Sequence, residues 1–158
     1  MTAKYDASIA GEIINQFGAK PEMLVQILHA LLERYGFIGD DAIRQLAKEL
    51  NLSRAEVHGV VSFYHDFRTE PPGEHIVKIC QAEACQAMGS RQLTRHAEER
   101  LGVAIHGTTA DGHVTLEPVY CLGNCACSPA VMVDDKVYGR VDDGKLDGLL
   151  DACGGAGK

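Results

Sequence analysis

The sequence has no long apolar run. No segment approaches the roughly 18–20 consecutive apolar residues that a membrane-spanning helix needs. Residues 1–6 also lack the apolar core of a signal peptide. We therefore expect a cytoplasmic protein without membrane insertion, in which thiols stay reduced and disulfides are uncommon.

Basic residues are too few for a surface that binds nucleic acid. The chain has 15 Lys and Arg against 22 Asp and Glu, which gives a formal net charge of −7, whereas phosphate backbones require a basic surface. No Gly-rich phosphate loop is present, so nucleotide cofactors are not expected on this chain. Hydrophobic residues make up 46% of the chain and charged residues 23%, close to the averages of globular proteins. The 158 residues suit one compact domain or a domain with an attached helical lobe.

Residues 1–70 carry the apolar periodicity of four helices. Apolar positions recur three and four apart in the segments 9–17, 21–35, 40–50 and 54–64. Gly36 provides a stop for the second helix, and Ser53 with Glu56 forms a capping-box pattern at the start of the fourth. We expect the four helices to pack into a small bundle, with Tyr64 on the apolar face of the fourth helix.

The third and fourth helices also resemble a helix-turn-helix, in which the second helix would enter a major groove of DNA. Acidic residues outnumber basic ones in residues 1–70, and the second helix offers little beyond Arg54 for phosphate contact. A bundle of packed helices is therefore favoured over DNA binding.

Residues 71–158 change to a pattern of strands and helices. The break falls at residues 69–73, which include two prolines and a glycine, so we place the boundary between a domain of residues 1–70 and a domain of residues 71–158. Strands are expected at 76–79, 103–105, 114–119, 130–133 and 136–141, and helices at 90–101 and around 146–150. The last two strands should form a hairpin. This order predicts an α/β fold with helices against a mixed sheet.

Four of the six cysteines occur as two pairs, each pair after an expected strand. Cys80 and Cys85 follow the first strand, and Cys121 and Cys125 follow a later one. Thiolates are soft ligands, and four that converge from two loops can hold zinc or an iron–sulfur cluster. Because four thiolates are the full complement for a [2Fe–2S] cluster, we expect one such cluster at these residues. No residue of the chain is expected to be catalytic.

Zinc remains open on spacing alone. Structural zinc sites place roughly two to four residues between paired ligands, and the four and three residues found here lie at the wide edge of that range. A thioredoxin-type dithiol needs two intervening residues, and a Rieske centre needs a histidine in each loop; neither condition is met. Cys127 could in principle replace a ligand, although we interpret it as a free thiol, and Cys153 has no expected role.

Motifs along nearly the whole chain match one known family. They are YGFI at 35–38, VHGVVSFY at 57–64, PGEH at 72–75, the two cysteine pairs, SP at 128–129 and VYG at 137–139. With these motifs the chain resembles the thioredoxin-like [2Fe–2S] subunit of NADH-dehydrogenase-type flavoprotein modules, the family of the complex I 24 kDa subunit. Within that family, CQAEACQAMG at 80–89 and TLEPVY at 115–120 are most similar to the gamma subunit of soluble, NAD-dependent, molybdenum-containing formate dehydrogenases.

The resemblance implies a four-helix N-terminal lobe followed by a thioredoxin-like [2Fe–2S] ferredoxin domain, with Cys80, Cys85, Cys121 and Cys125 as the ligands of one cluster. It implies an electron-transfer subunit of a complex that converts formate and NAD⁺ to CO₂ and NADH. FMN, the NAD site and a [4Fe–4S] cluster are then expected on a flavoprotein partner, and the molybdenum cofactor on a larger iron–sulfur subunit. The alternatives are the equivalent subunit of NADH:quinone oxidoreductase or of an NAD-linked hydrogenase, and more remotely a zinc-stabilised helix-turn-helix module.

Two expectations concern the surroundings of the cysteines. Lys78 is a nearby cation that would raise the reduction potential of a cluster, because reduction adds negative charge. Phe63, Tyr64 and Phe67 are candidates for a permanent partner contact, and the alternative is that they form core between the helical lobe and the α/β domain.

Overall fold

The computed structural model describes residues 4–154 and divides the chain into two compact units, Met1–Pro71 and Pro72–Lys158. The first unit contains the helices α1 (Ala7–Gln16), α2 (Leu24–Tyr35), α3 (Asp40–Glu49) and α4 (Arg54–Phe63). The second contains β1 (His75–Cys80), α5 (Glu83–Ala87), α6 (Ser90–Leu101), β2 (Val114–Val119), β3 (Val131–Val133), β4 (Lys136–Tyr138) and α7 (Asp143–Ala152). Along the described residues, no helix is both long and apolar enough to cross a membrane.

The ends of the helices in the first unit follow from local chemistry. The side chain of Asp6 accepts hydrogen bonds from two amides in the first turn of α1, and Gly36 ends α2 with φ of 80°. Ser53 and Glu56 form the expected capping box at the start of α4, each side chain bonding the other's backbone amide. The four helices predicted from the periodicity are confirmed.

The core of the helical unit contains Phe67 but not its aromatic neighbours. Phe67 is buried beside the ring of His29, whereas Phe63 is 74% exposed and Tyr64 is 45% exposed. Tyr64 was predicted on the apolar face of α4, and this is wrong because the helix ends at Phe63 and Tyr64 adopts an extended backbone. Phe67 is therefore no longer a candidate for a partner contact, because its side chain lies in the core of the helical unit. Phe63 and Tyr64 are exposed and stay candidates.

Four strands form one mixed sheet in the order β2-β1-β3-β4. The pair β1 and β2 is parallel, with Cys80 opposite Val119, while β3 runs antiparallel to β1 and β4. The predicted mixed sheet and the hairpin of its last two strands are confirmed. Because the carboxyl ends of parallel strands lie at the same edge of a sheet, the two cysteine loops begin side by side.

The sheet packs against α6 and α7 through an apolar core. Its members come from the strands and from both helices, and they include Val77, Ile79, Leu93, Ala97, Val114, Leu116, Val131, Leu146 and Leu150. Cys153, for which no role was expected, is 4% exposed and belongs to this core. Burial raises the pKa of its thiol, and Asp134 adds to the shift.

One local prediction in this unit needs correction, and one element was not predicted. Residues 103–105 do not form a strand; the amide of Ile105 donates to the side chain of Glu98, and His106 has φ of 69°. The second difference is α5, which the sequence did not predict and which carries Cys85. A helix of five residues is too short to show a periodic apolar pattern.

Candidate metal centre

The first cysteine pair is buried where β1 ends. Cys80 is the last residue of β1 and Cys85 lies in α5, and each is 2% exposed. The amide of Cys80 donates to the carbonyl of Ala130 at 3.0 Å, which ties the strand end to the far side of the second loop. The first pair is therefore held by the sheet and sealed from solvent.

The two buried thiols differ in acidity. Burial raises the pKa of Cys80, against backbone hydrogen bonds from Ala82 and Leu122 that lower it. Burial acts on Cys85 as well, but its pKa is lowered overall because the Ser128 hydroxyl, the Ala130 backbone and the Cys80 thiol all stabilise its thiolate.

The second cysteine pair lies on an exposed, tightly wound loop after β2. Cys121 and Cys125 are exposed, and their sulfur atoms are 3.8 Å apart. Cys121 has φ of 132°, a conformation rare for a residue with a side chain, so the surrounding loop must impose it. The Cys121 sulfur raises the pKa of Cys125 through a shared hydrogen bond and charge repulsion.

Backbone amides of the second loop point at sulfur atoms of both pairs. The amide of Gly123, whose φ of 73° suits glycine, lies 3.3 Å from the Cys121 sulfur. The backbone groups of Leu122 and Ala130 also act to lower the pKa of Cys80 and of Cys85 respectively. Amide donors of this kind stabilise negative charge on sulfur, as in iron–sulfur sites.

Ser128 joins the two loops through its hydroxyl group. The Oγ atom lies 3.6 Å from the Cys85 sulfur and donates to the carbonyl oxygen of Cys125 at 2.7 Å. The residue is only 9% exposed. The sequence analysis did not assign Ser128 a role. The available signal was its position in the second cysteine loop, directly before Pro129.

The spacing of the two exposed sulfurs fits a pair of thiolates that bind one metal ion. A tetrahedral ion with metal–sulfur bonds of about 2.3 Å holds its sulfurs about 3.8 Å apart, and the Cys121–Cys125 separation is 3.8 Å. Cys80 and Cys85 share a hydrogen bond and form the other pair. Within residues 4–154, no three His, Cys, Asp or Glu side chains are disposed around a single ion; the thiols are arranged as two pairs.

The remaining candidates lie around this centre. Cys127 is half-buried, and its backbone is bonded to Asn124 and Arg140. The ammonium of Lys78 is 3.9 Å from the carboxylate of Glu117. The negative charge of Glu117 therefore offsets the effect that Lys78 was expected to have on the reduction potential of a cluster.

The mixed sheet carries two cysteine pairs after the carboxyl ends of its parallel strands, and thiolates are the donors that iron–sulfur proteins use. The chain belongs to the thioredoxin-like [2Fe-2S] ferredoxin family, whose sequence model matches residues 10–154. Membership in this family implies one [2Fe–2S] cluster.

Curated relatives cover most of the chain. It is 34% identical over 128 residues to a subunit of the NADH-quinone oxidoreductase of Pseudomonas aeruginosa, with 81% of this chain and 77% of the relative covered. It is 32% identical over 139 residues to the HndA subunit of the NADP-reducing hydrogenase of Solidesulfovibrio fructosivorans, with 88% and 82% covered.

The fold is also found in a larger protein of known structure. The air-oxidised state of an NAD⁺-reducing [NiFe]-hydrogenase matches 84% of this chain with a TM-score of 0.70 and 22% sequence identity. The present chain spans only 23% of the length of that hydrogenase chain, so the likeness shows the fold alone.

Proposed function

We propose that the chain is a one-electron carrier in which Cys80, Cys85, Cys121 and Cys125 ligate one [2Fe–2S] cluster. The observation that carries the proposal is the arrangement of the thiols as two pairs at one edge of the sheet, the exposed pair with its sulfurs 3.8 Å apart. Family membership supports the same cluster. In this proposal residues 1–70 form a helical domain and residues 71–158 the cluster-binding domain.

The cluster, when bound, supplies reversible one-electron chemistry without making or breaking a covalent bond to substrate. The protein's contribution is to set the energy of the added negative charge. The backbone groups of Leu122, Gly123 and Ala130 stabilise negative charge on the ligand sulfurs, which favours the reduced state. Burial of Cys80 and Cys85 opposes it, because a low-dielectric surrounding penalises charge.

The second loop is the proposed contact with the electron-transfer partner. Residues 118–133 contain no Asp, Glu, Lys, Arg or His, in a chain of which 23% is charged. Tyr120 is 66% exposed at the start of this loop, beside the exposed Cys121. Depletion of charge together with an exposed aromatic residue is typical of the core of a protein interface.

The curated relatives support a role as the electron-transfer subunit of an NADH-dehydrogenase-type module. We propose that the partner is a flavoprotein carrying FMN, the NAD site and a [4Fe–4S] cluster, and that this chain converts no substrate itself. For the parent enzyme we propose a soluble NAD-dependent formate dehydrogenase with a larger molybdenum subunit, supported by the sequence at 80–89 and 115–120. The curated relatives named above belong instead to quinone-linked and hydrogenase complexes.

The cluster is tested on the purified chain. After anaerobic purification we expect two irons and two sulfides per chain and an EPR signal from one unpaired electron after reduction with dithionite. Serine at any of the four ligand positions should abolish or alter the signal, whereas Cys153→Ser, which changes a core thiol away from the loops, should leave it intact. A colourless protein with stoichiometric zinc would overturn the proposal.

The parent complex is tested separately by affinity purification of the tagged chain from its native cells. We expect a flavoprotein to co-purify, and NAD⁺ reduction by the isolated complex to depend on formate. NAD⁺ reduction that depends on hydrogen, or NADH oxidation that depends on quinone, would replace formate dehydrogenase with one of the other two complexes while leaving the cluster proposal intact.

A further inference from the structure

Gly139 lies in unusually close contact with the second cysteine loop. A Cβ atom built at this glycine would be 2.6 Å from the Nδ2 atom of Asn124, 2.7 Å from the Cβ atom of Cys127 and 2.9 Å from the Cys127 carbonyl oxygen. All three distances are below 3.0 Å, and Cβ atoms in proteins essentially never approach non-bonded atoms so closely. Any side chain at position 139 must therefore displace the loop or the segment that contains the glycine.

The same segment is bonded to the loop through its backbone. The amide of Arg140 donates to the carbonyl of Cys127 at 2.6 Å, and the amide of Val141 donates to the carbonyl of Pro129 at 3.1 Å. We call residues 139–141 the strap. The strap is itself held in place, since the ammonium of Lys145 at the start of α7 donates to the carbonyl of Gly139 at 2.7 Å.

The residues that the strap contacts lie on either side of Cys125 in the sequence. Asn124 precedes it and Cys127 follows by two positions, and the amide of Cys127 donates to the carbonyl of Asn124 at 3.0 Å to close a short 3₁₀ turn around Cys125. A shift of this turn necessarily moves the Cys125 sulfur relative to Cys121. The 3.8 Å separation of those two sulfurs therefore depends on how closely the strap approaches.

The turn has room to move. Ala126, Ser128 and Pro129 line a cavity of about 520 Å³ that is also bordered by Arg140 and Val141 of the strap. Because this side of the loop is not filled by packed side chains, a displaced turn can be accommodated without unfolding the sheet. Because the bond from Lys145 holds Gly139, we expect a clash at position 139 to be relieved at least in part by movement of the loop.

We infer that Gly139 is a positioning residue for the cluster, and that its missing side chain lets the strap hold the turn around Cys125 at the separation that a shared iron requires. This inference rests on the proposed [2Fe–2S] cluster. It also gives Cys127 a packing role: its Cβ atom lies against Gly139.

The test compares three glycine-to-alanine variants of the full chain. Gly139→Ala introduces the clash at the loop. Gly107→Ala introduces a clash of similar size, 2.8 Å from the carbonyl oxygen of Ala104, within the loop between α6 and β2. Gly148→Ala adds a methyl group to α7 where nothing lies within 4 Å. The last two variants control for general loss of stability and for the substitution itself.

The readouts are the rate of iron release to an excess of ferrous-iron chelator, the EPR g-values of the reduced protein, the reduction potential and the thermal midpoint of the iron-free chain. For Gly139→Ala we expect iron release to be roughly 5- to 150-fold faster, the rate equivalent of the usual cost of overpacking, together with altered g-values and an altered potential. Gly107→Ala should lower the thermal midpoint without changing the EPR spectrum. Gly148→Ala should also leave the spectrum unchanged but raise the midpoint slightly, because alanine is more favourable than glycine in a helix interior.

A second comparison keeps the inference testable if Gly139→Ala takes up no iron. Asn124→Ala with Cys127→Gly removes two of the three close contacts, so adding Gly139→Ala to this background should have a smaller effect than adding it to the wild type. Each of three results would overturn the inference. Gly139→Ala could have equal effects in the two backgrounds, it could show the iron release and spectrum of the wild type, or Gly107→Ala could show the same spectral change. Absence of iron and sulfide from the wild-type chain would instead refute the proposed cluster.

Discussion

The hydroxyl of Ser128 offers the sharpest test of how this chain sets a reduction potential. Its Oγ atom lies between two possible acceptors, the carbonyl oxygen of Cys125 at 2.7 Å and the sulfur of Cys85 at 3.6 Å. A protonated Cys85 can donate its own hydrogen to Ser128, but a thiolate ligand has none. In the cluster-bound chain we therefore predict that the hydroxyl donates to the sulfur, because hydrogen bonds to charged groups are stronger than neutral ones.

The size of the effect follows from the change in charge. A hydrogen bond to a charged group contributes about 1.5–3 kcal/mol, and four thiolates around a [2Fe–2S] core carry a total charge of about −2 when oxidised and about −3 when reduced. If the bond strengthens in proportion to the charge, reduction gains about 0.8–1.5 kcal/mol from this hydroxyl. Since a factor of ten in a one-electron equilibrium corresponds to 59 mV, removal of the hydroxyl in Ser128→Ala should lower the potential by about 30–60 mV.

The measurement is a redox titration of the purified chain followed by EPR. Ser128→Thr keeps a hydroxyl group and should retain most of the wild-type potential. Ser90→Ala is the matched control, because Ser90 is fully buried in the same unit and its Oγ atom has no hydrogen-bond partner among the described residues. A potential in Ser128→Ala within about 10 mV of the wild type would refute the reasoning, since it would mean that the hydroxyl stays bonded to the Cys125 carbonyl.

Three further predictions concern stability. Ser53→Ala removes the capping box with Glu56 and should lower the free energy of unfolding by about 1 kcal/mol in urea titrations; an unchanged midpoint would contradict the cap. The pKa of Asp134 is lowered despite partial burial, because His75 and the amide of Ile76 bond its carboxylate. Asp134 therefore stabilises the fold above its unfolded pKa of about 3.9, and this stabilisation is lost as the pH falls through the lower folded pKa. In Asp134→Asn the free energy of unfolding should fall less steeply with decreasing pH than in the wild type. An equally steep fall would exclude the Asp134–His75 pair as a cause. Removal of iron should lower the thermal midpoint of the second unit, because bound metal stabilises the folded state. Equal midpoints with and without iron would show that metal binding is not coupled to the folding of this unit.

The sequence predicted the parts of the fold that local chemistry determines. The capping box at Ser53 and the stop at Gly36 were found where the pattern placed them, and the strand predicted at 76–79 was found with one more residue at each end. Each depends on a few neighbouring residues whose hydrogen-bonding or backbone preferences are known. The cysteine pairs belong to the same category, because their spacing and the preceding strands were visible before the sheet order was known.

The errors arose where tertiary contacts decide the conformation. Residues 103–105 have strand-like composition, yet the amide of Ile105 is bonded to Glu98 of α6 and the amide of His106 to Leu116 of β2. Tyr64 continues the apolar stripe of α4 but lies beyond the end of that helix. Periodicity shows which face of a helix is apolar and does not show where the helix stops.

The contact between Gly139 and the loop around Cys125 was beyond sequence reasoning for a related reason. Gly139 lies 14 positions after Cys125, on the far side of a hairpin, and only the folded sheet brings the two segments together. The structure also shows that the two cysteine pairs are unlike: Cys80 and Cys85 are buried on a strand end and a helix, while Cys121 and Cys125 are exposed on a loop with a strained backbone at Cys121. A buried pair gives a site rigidity, and an exposed pair gives a partner access to it. The exposed pair lacks the support of a strand or helix, so another segment must fix the distance between its sulfurs. The strap, which packs against this loop, is in the position to do so.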